Sequence, residues 1–158
     1  MSNTQSMCTS FLGEVLTATH NFGTAPIRAS STADTFKAAL YLTSATIDAA
    51  TTAYTSTGEV SGTGYTAGGV AVTNATAPLA TNSSATAGVA YWTPSASISY
   101  TTVTLSTAFD CVLIYNNSQS NKAVSVHTFG SQTITAGTFT LTMPSNTTST
   151  ALLRLATT

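Results

Sequence analysis

Apolar and polar residues alternate in short runs along most of this chain, and turn-forming clusters separate the runs. Phe36, Ala38, Leu40 and Leu42 alternate with Lys37, Ala39, Tyr41 and Thr43. A period of two marks a half-buried β-strand. Residues 98–105 alternate in the same way, and Phe139, Leu141 and Met143 do so up to Pro144. Shorter runs of this kind cover residues 70–76, 89–93 and 151–155. Residues 111–115 (CVLIY) are continuously apolar, as a strand buried on both faces requires. The polar segment 116–121 then turns the chain, and residues 123–129 return as a strand, giving the clearest hairpin. Ile134 begins a further strand, which Ala136-Gly137 interrupts as a bulge would.

Helical spacing is confined to the N-terminal region. Phe11, Leu12, Val15 and Leu16 gather on one face of a helix over residues 7–20, which Cys8 extends by a turn. Such a helix fits as a plug at one end of a sheet sandwich, or as an arm to a neighbour. Residues 23–34 and 77–88 read as loops. Residues 43–69 form a long, small-residue segment ending in Gly68-Gly69, with room for a short helix over 47–53. Loops longer than about 12–15 residues are usually functional or mobile, so partner contacts are expected here first. About eight short strands and one helix predict an all-β domain spanning 1–158, a β-sandwich or jelly roll.

Composition sharpens this picture. The chain of 158 residues holds 35 Thr and 20 Ser, yet only 6% of it is charged. Thr is β-branched and suits a pleated, half-buried surface. Four Lys/Arg against five Asp/Glu cannot form the basic patch that phosphate neutralisation needs, so nucleic acid is not an expected partner. No run approaches about 18 apolar residues, so no membrane span is expected. The N-terminal segment lacks the basic and apolar regions of a secretory leader, which leads to an expectation of cytoplasmic synthesis. Cys8 and Cys111 read as small buried hydrophobes, not as a disulfide framework. Asn-x-Ser/Thr triplets at Asn74, Asn82, Asn116 and Asn146 are no more than a hydroxyl-rich chain produces by chance.

Candidate chemistry is sparse. The glycines between Gly62 and Gly69 lack the Lys-Ser/Thr and the following helix of a phosphate loop, and they miss the dinucleotide spacing. His20 or His127 with Asp110 and a serine assembles a triad only on paper, because no nucleophile elbow is present. His127 alternates with Val124 and Val126 and reads as a surface or interface side chain. Asp34, Asp48 and Glu59 lie in loops without a calcium-loop pattern. Glu59 and Asp110 are not singled out as a glycosidase pair. No catalytic residue, metal ligand or cofactor is therefore assigned. Tyr91-Trp92 with Tyr100 fits core packing best, with an interface anchor or a sugar platform as the other readings.

Several segments together resemble a known family. These are residues 36–46 (FKAALYLTSAT), Tyr54 with its neighbours, residues 59–69 (EVSGTGYTAGG), the hairpin 112–126, and residues 136–141. The N-terminal residues 11–16 before His20-Asn-Phe are similar as well. The set resembles small virion proteins of tailed bacteriophages over most of residues 11–155, and departs from them around 77–108. The resemblance implies a non-enzymatic structural role in a phage particle. The expected form is a capsid decoration, or cement, protein that bridges capsid subunits as a homo-oligomer. The implied partners are the major capsid protein or other virion proteins, after synthesis in a bacterial cytoplasm. Tyr54, Glu59, Tyr65, Tyr91 and Trp92 are the expected contacts to neighbours. A tail, neck or fibre-adaptor component, or a carbohydrate-binding module, are the rival readings.

Overall fold

A computed structural model describes residues 3–8, 10, 11, 15, 19–22, 33–73, 77–81 and 88–156. Among them run eight strands: β1 (Ser6–Met7), β2 (Phe36–Leu42), β3 (Val70–Val72), β4 (Leu79–Ala80), β5 (Val89–Trp92), β6 (Ile98–Asn116), β7 (Lys122–Leu141) and β8 (Leu153–Ala156). They form a five-stranded sheet ordered β1-β7-β6-β2-β3 and a three-stranded sheet ordered β4-β5-β8. Every pairing is antiparallel. The all-β expectation holds.

The middle of the large sheet is the hairpin the pattern predicted. Residues 111–116 are all buried, so both faces of this stretch are covered. Side chains alternate between faces. On one face Tyr115 stacks on Tyr54 of the long loop, with ring centroids 4.9 Å apart. On the other, Val112 and Ile114 look across a gap of about 230 Å³ toward Ile98, Phe129 and Leu141.

That second face explains the main departure from the expected strands. Residues 98–105 and 111–115 were expected as two strands, and so were 123–129 and the segment from Ile134. Instead each pair is one strand, of 19 residues in β6 and 20 in β7. A straight 20-residue strand would run about 66 Å. Yet Phe129 and Phe139, ten positions apart in β7, have ring centroids only 5.1 Å apart. The ribbon therefore folds back over itself. Register shifts between Leu105/Phe109 and Phe109/Cys111 mark the bend, and Phe109 meets Phe139 edge-on at 5.1 Å inside it. The expected interruption at Ala136-Gly137 is present: the register slips between Val103 and Leu105, and Ala136 has φ 48°. A bulge of this kind bends a strand without ending its pairing, which is why the pattern broke while the ladder did not.

Other expectations shift at their edges. Met7 lies in β1 rather than in a helix. No N-terminal helix is among the assigned elements. Ser10, Phe11 and Val15 have helical backbone, while residues 9, 12–14 and 16–18 of the expected 7–20 helix lie outside the described residues. The loop at 23–34 is described only from Ala33, and residues 74–76 of the expected strand over 70–76 also fall outside. The short helix over 47–53 is replaced by turns. Ile47 N–H donates to Asn3 Oδ1 at 3.0 Å, and Ala123 N–H donates to Thr52 O at 3.0 Å. The last strand starts at Leu153 rather than at residue 151. β1 and β4, two residues each, are too short to show a period.

Candidate functional site

The long loop 43–69 packs against the edge of β2 left uncovered beyond β3. Val60 N–H donates to Leu40 O at 3.0 Å, Leu42 N–H donates to Gly58 O at 2.9 Å, and Tyr41 bridges to Glu59. Glu59 is the centre of this lobe. Its Oε2 accepts from the Tyr54 hydroxyl at 2.6 Å, and its Oε1 accepts from the Tyr65 hydroxyl and from Gly68 N–H, both at 2.7 Å. Tyr65 Oη in turn accepts from Leu40 N–H at 3.1 Å, tying the carboxylate to β2. Hydrogen bonds to an ionised acceptor are roughly twice as strong as neutral ones.

More tyrosines close around this centre. Tyr115 donates to Gly68 O at 2.8 Å, Tyr100 donates to Ala38 O at 2.8 Å, and Tyr41 donates to Thr55 O at 2.6 Å. Tyr65 stacks on Tyr100 with centroids 6.0 Å apart. Burial pushes the phenols of Tyr54 and Tyr115 up to about 12, and burial also raises Tyr41, Tyr65 and Tyr100. These groups stay protonated and donate. Gly69 completes the seat: its φ is +73°, and a Cβ there would lie 1.7 Å from Ala38 O.

Three of the five expected contact residues, Tyr54, Glu59 and Tyr65, thus come together, half-buried and bonded to one another. What the lobe presents outward is a set of small hydroxyls. Thr55, Ser56, Thr57, Ser61, Thr63 and Thr66 are all exposed. Tyr91 and Trp92 lie elsewhere, in β5. Trp92 is 2% exposed and packs on Phe22 and Phe36, with centroids at 4.7 and 6.2 Å, so its ring serves the core. Tyr91 is half-buried in the small sheet between Leu79 and Arg154 of the adjacent strands.

The remaining titratable groups enter separate networks. Buried Asp34 accepts from Asn21 N–H at 2.9 Å, Asn116 Nδ2 at 2.8 Å and Gln119 Nε2 at 3.0 Å, beside His20. The pattern gave no sign of this cluster, although the Asn-rich hairpin turn supplies two of its donors. Asp48 accepts from Ala50 N–H within its own turn, and Asp110 accepts from Asn3 Nδ2 at 2.6 Å. His127 shares a hydrogen with Ser125 Oγ at 2.9 Å, and burial lowers its pKa to about 4. His127 is half-buried. Cys8 and Cys111 are both buried, and burial raises the Cys111 thiol to about 12. Among the described residues no three His, Cys, Asp or Glu side chains gather as a metal site.

No family model matches the chain, and comparison with curated proteins and with solved structures yields no match.

Proposed function

We propose that this chain is a non-enzymatic structural protein of a phage virion, decorating the capsid and bridging its subunits. The reading starts from the segmental resemblance described above. The observation that carries it further is the Glu59 lobe. The Glu59 carboxylate is engaged on both oxygens by Tyr54, Tyr65 and Gly68, so the group spends its charge on shape rather than on chemistry. The lobe then offers neighbours a preorganised face of exposed Ser and Thr hydroxyls. Preorganisation lowers the ordering cost of each contact. Repetition over a shell multiplies weak contacts, and binding to the assembled form stabilises it by mass action.

Electron microscopy of intact particles from the source tests this. The expected result is a copy number of the order of that of the capsid protein, with the 55–66 lobe against the shell. A dozen or fewer copies at one vertex would move the protein to the neck, tail or fibre attachment. Absence from particles would overturn the proposal.

A further inference from the structure

β7 leaves the longest open strand edge among the described residues. β1 covers it only at Ser125 and Val126. From Phe129 to Leu141 its sole strand partner is β6. The other outer strands, β1, β3, β4 and β8, are two to four residues long, and a very short edge is itself a guard against pairing. The opposite edge of the folded-back half of β6 is occupied: Thr104 N–H donates to Thr63 O at 2.9 Å, and Gly62 and Gly64 lie against the carbonyls of Thr104 and Thr102.

Proteins usually guard a long edge with Lys, with Pro or with a bulge. β7 has the bulge at Ala136, but nothing guards it beyond that point. No Asp, Glu, Lys or Arg occurs between Lys122 and Arg154, and the first Pro is Pro144. Residues 137–143 (GTFTLTM), the end of β7 and the two residues that follow it, alternate. Thr138, Thr140 and Thr142 are exposed, while Phe139, Leu141 and Met143 pack partly against the core.

We propose that two copies of this chain pair edge to edge through residues 137–143, antiparallel, about a two-fold axis at Thr140. A bare row of backbone N–H and C=O groups is recognised by another extended strand. A second copy fits for a reason specific to two-fold symmetry. Any charge near the axis would meet its own image, and this segment has none. Centring on Thr140 sets Phe139 opposite Leu141 of the second copy on the inner face. It sets Thr138 opposite Thr142 on the outer face, so like meets like on both sides of the joined sheet. The inference goes beyond the virion proposal and stands whatever particle the protein belongs to.

So short an edge buries less than a standard interface of about 1,600 Å². The dimer is therefore weak, and sedimentation equilibrium has to span about 1 µM to about 1 mM. The expected result is a monomer–dimer equilibrium. Thr140→Lys weakens it at least tenfold and Thr140→Val preserves it. Ser6→Lys in β1 and Leu155→Lys in β8 leave it unchanged. Amide exchange at residues 137–143 slows as concentration rises, and circular dichroism checks that each variant is folded. A monomer at every concentration overturns the proposal. So does a dimer indifferent to Thr140→Lys, or one broken by Leu155→Lys or Ser6→Lys.

Discussion

The hydroxyl of Tyr65 donates to Glu59 Oε1 at 2.7 Å while its oxygen accepts from the backbone N–H of Leu40 at 3.1 Å. One phenol thereby joins the Glu59 carboxylate to the edge of β2 beyond β3. Glu59→Gln keeps the shape but removes the charge and sets an amide N–H₂ against one hydroxyl donor. The expected loss is about 1–3 kcal/mol in denaturant unfolding. Hydrogen exchange is expected to rise across residues 54–68 and to stay unchanged at 111–116. Equal loosening of both segments would mean that the lobe is not held by this contact.

Two glycines in this fold predict opposite outcomes. Gly69 has φ +73°, and a methyl there would sit 1.7 Å from Ala38 O. Gly69→Ala is expected to cost more than about 3 kcal/mol, since both the conformation and a backbone atom oppose it. Gly130 has nothing within 4 Å of an added Cβ. Gly130→Ala is expected to be neutral or to stabilise by up to about 1 kcal/mol, by restricting the unfolded chain. Thermal unfolding of the pair checks this, and similar melting temperatures for the two variants would contradict it.

His127 gives the native state an acid-side pH dependence. Burial holds its pKa at about 4, whereas the unfolded side chain takes its proton near 6.5. Between these values the unfolded chain binds a proton that the native protein does not. Stability is therefore complete above pH 6.5 and falls as pH drops toward 4. The loss reaches at most about 3 kcal/mol, because one pKa unit is about 1.4 kcal/mol and partial exposure reduces it. The difference in unfolding free energy between the wild type and His127→Gln, followed over pH 4–7, isolates this contribution from the carboxylates. A constant difference across the window would refute it.

What the sequence made legible was local. The period of two in 36–42 and the apolar run at 111–115 placed β2 and the buried hairpin correctly. The Ala136-Gly137 break was visible as well. Its meaning was not, because a bulge and a strand end look alike without the partner strand. Phe109 illustrates the problem. Flanked by Ser, Thr, Ala and Asp it falls between the two expected strands, yet it is fully buried at the bend against Phe129 and Phe139. The candidate site divided in the same way. Tyr54, Glu59 and Tyr65 stood out, but nothing in their spacing showed that all three meet on one carboxylate. Trp92 matched its core reading rather than a surface role. The Asp34 network depends on the hairpin turn returning to His20, Asn21 and Asp34, a tertiary fact with no local trace.

The folded-back ribbon also bears on how the chain reaches this structure. Its rungs start beside the turn, at Asn116↔Lys122, and follow in order, across several register shifts, to Ile98↔Leu141. Each rung formed leaves only a small loop to close for the next, and loop-closure entropy grows slowly with length. The large sheet's central pair can therefore zip outward from one turn, despite the wide sequence separation of its last contacts. Laying the far half over Val112 and Ile114 then becomes a distinct, later event. In kinetic terms, substitutions near the turn should slow folding, whereas substitutions at Phe139 should mainly hasten unfolding.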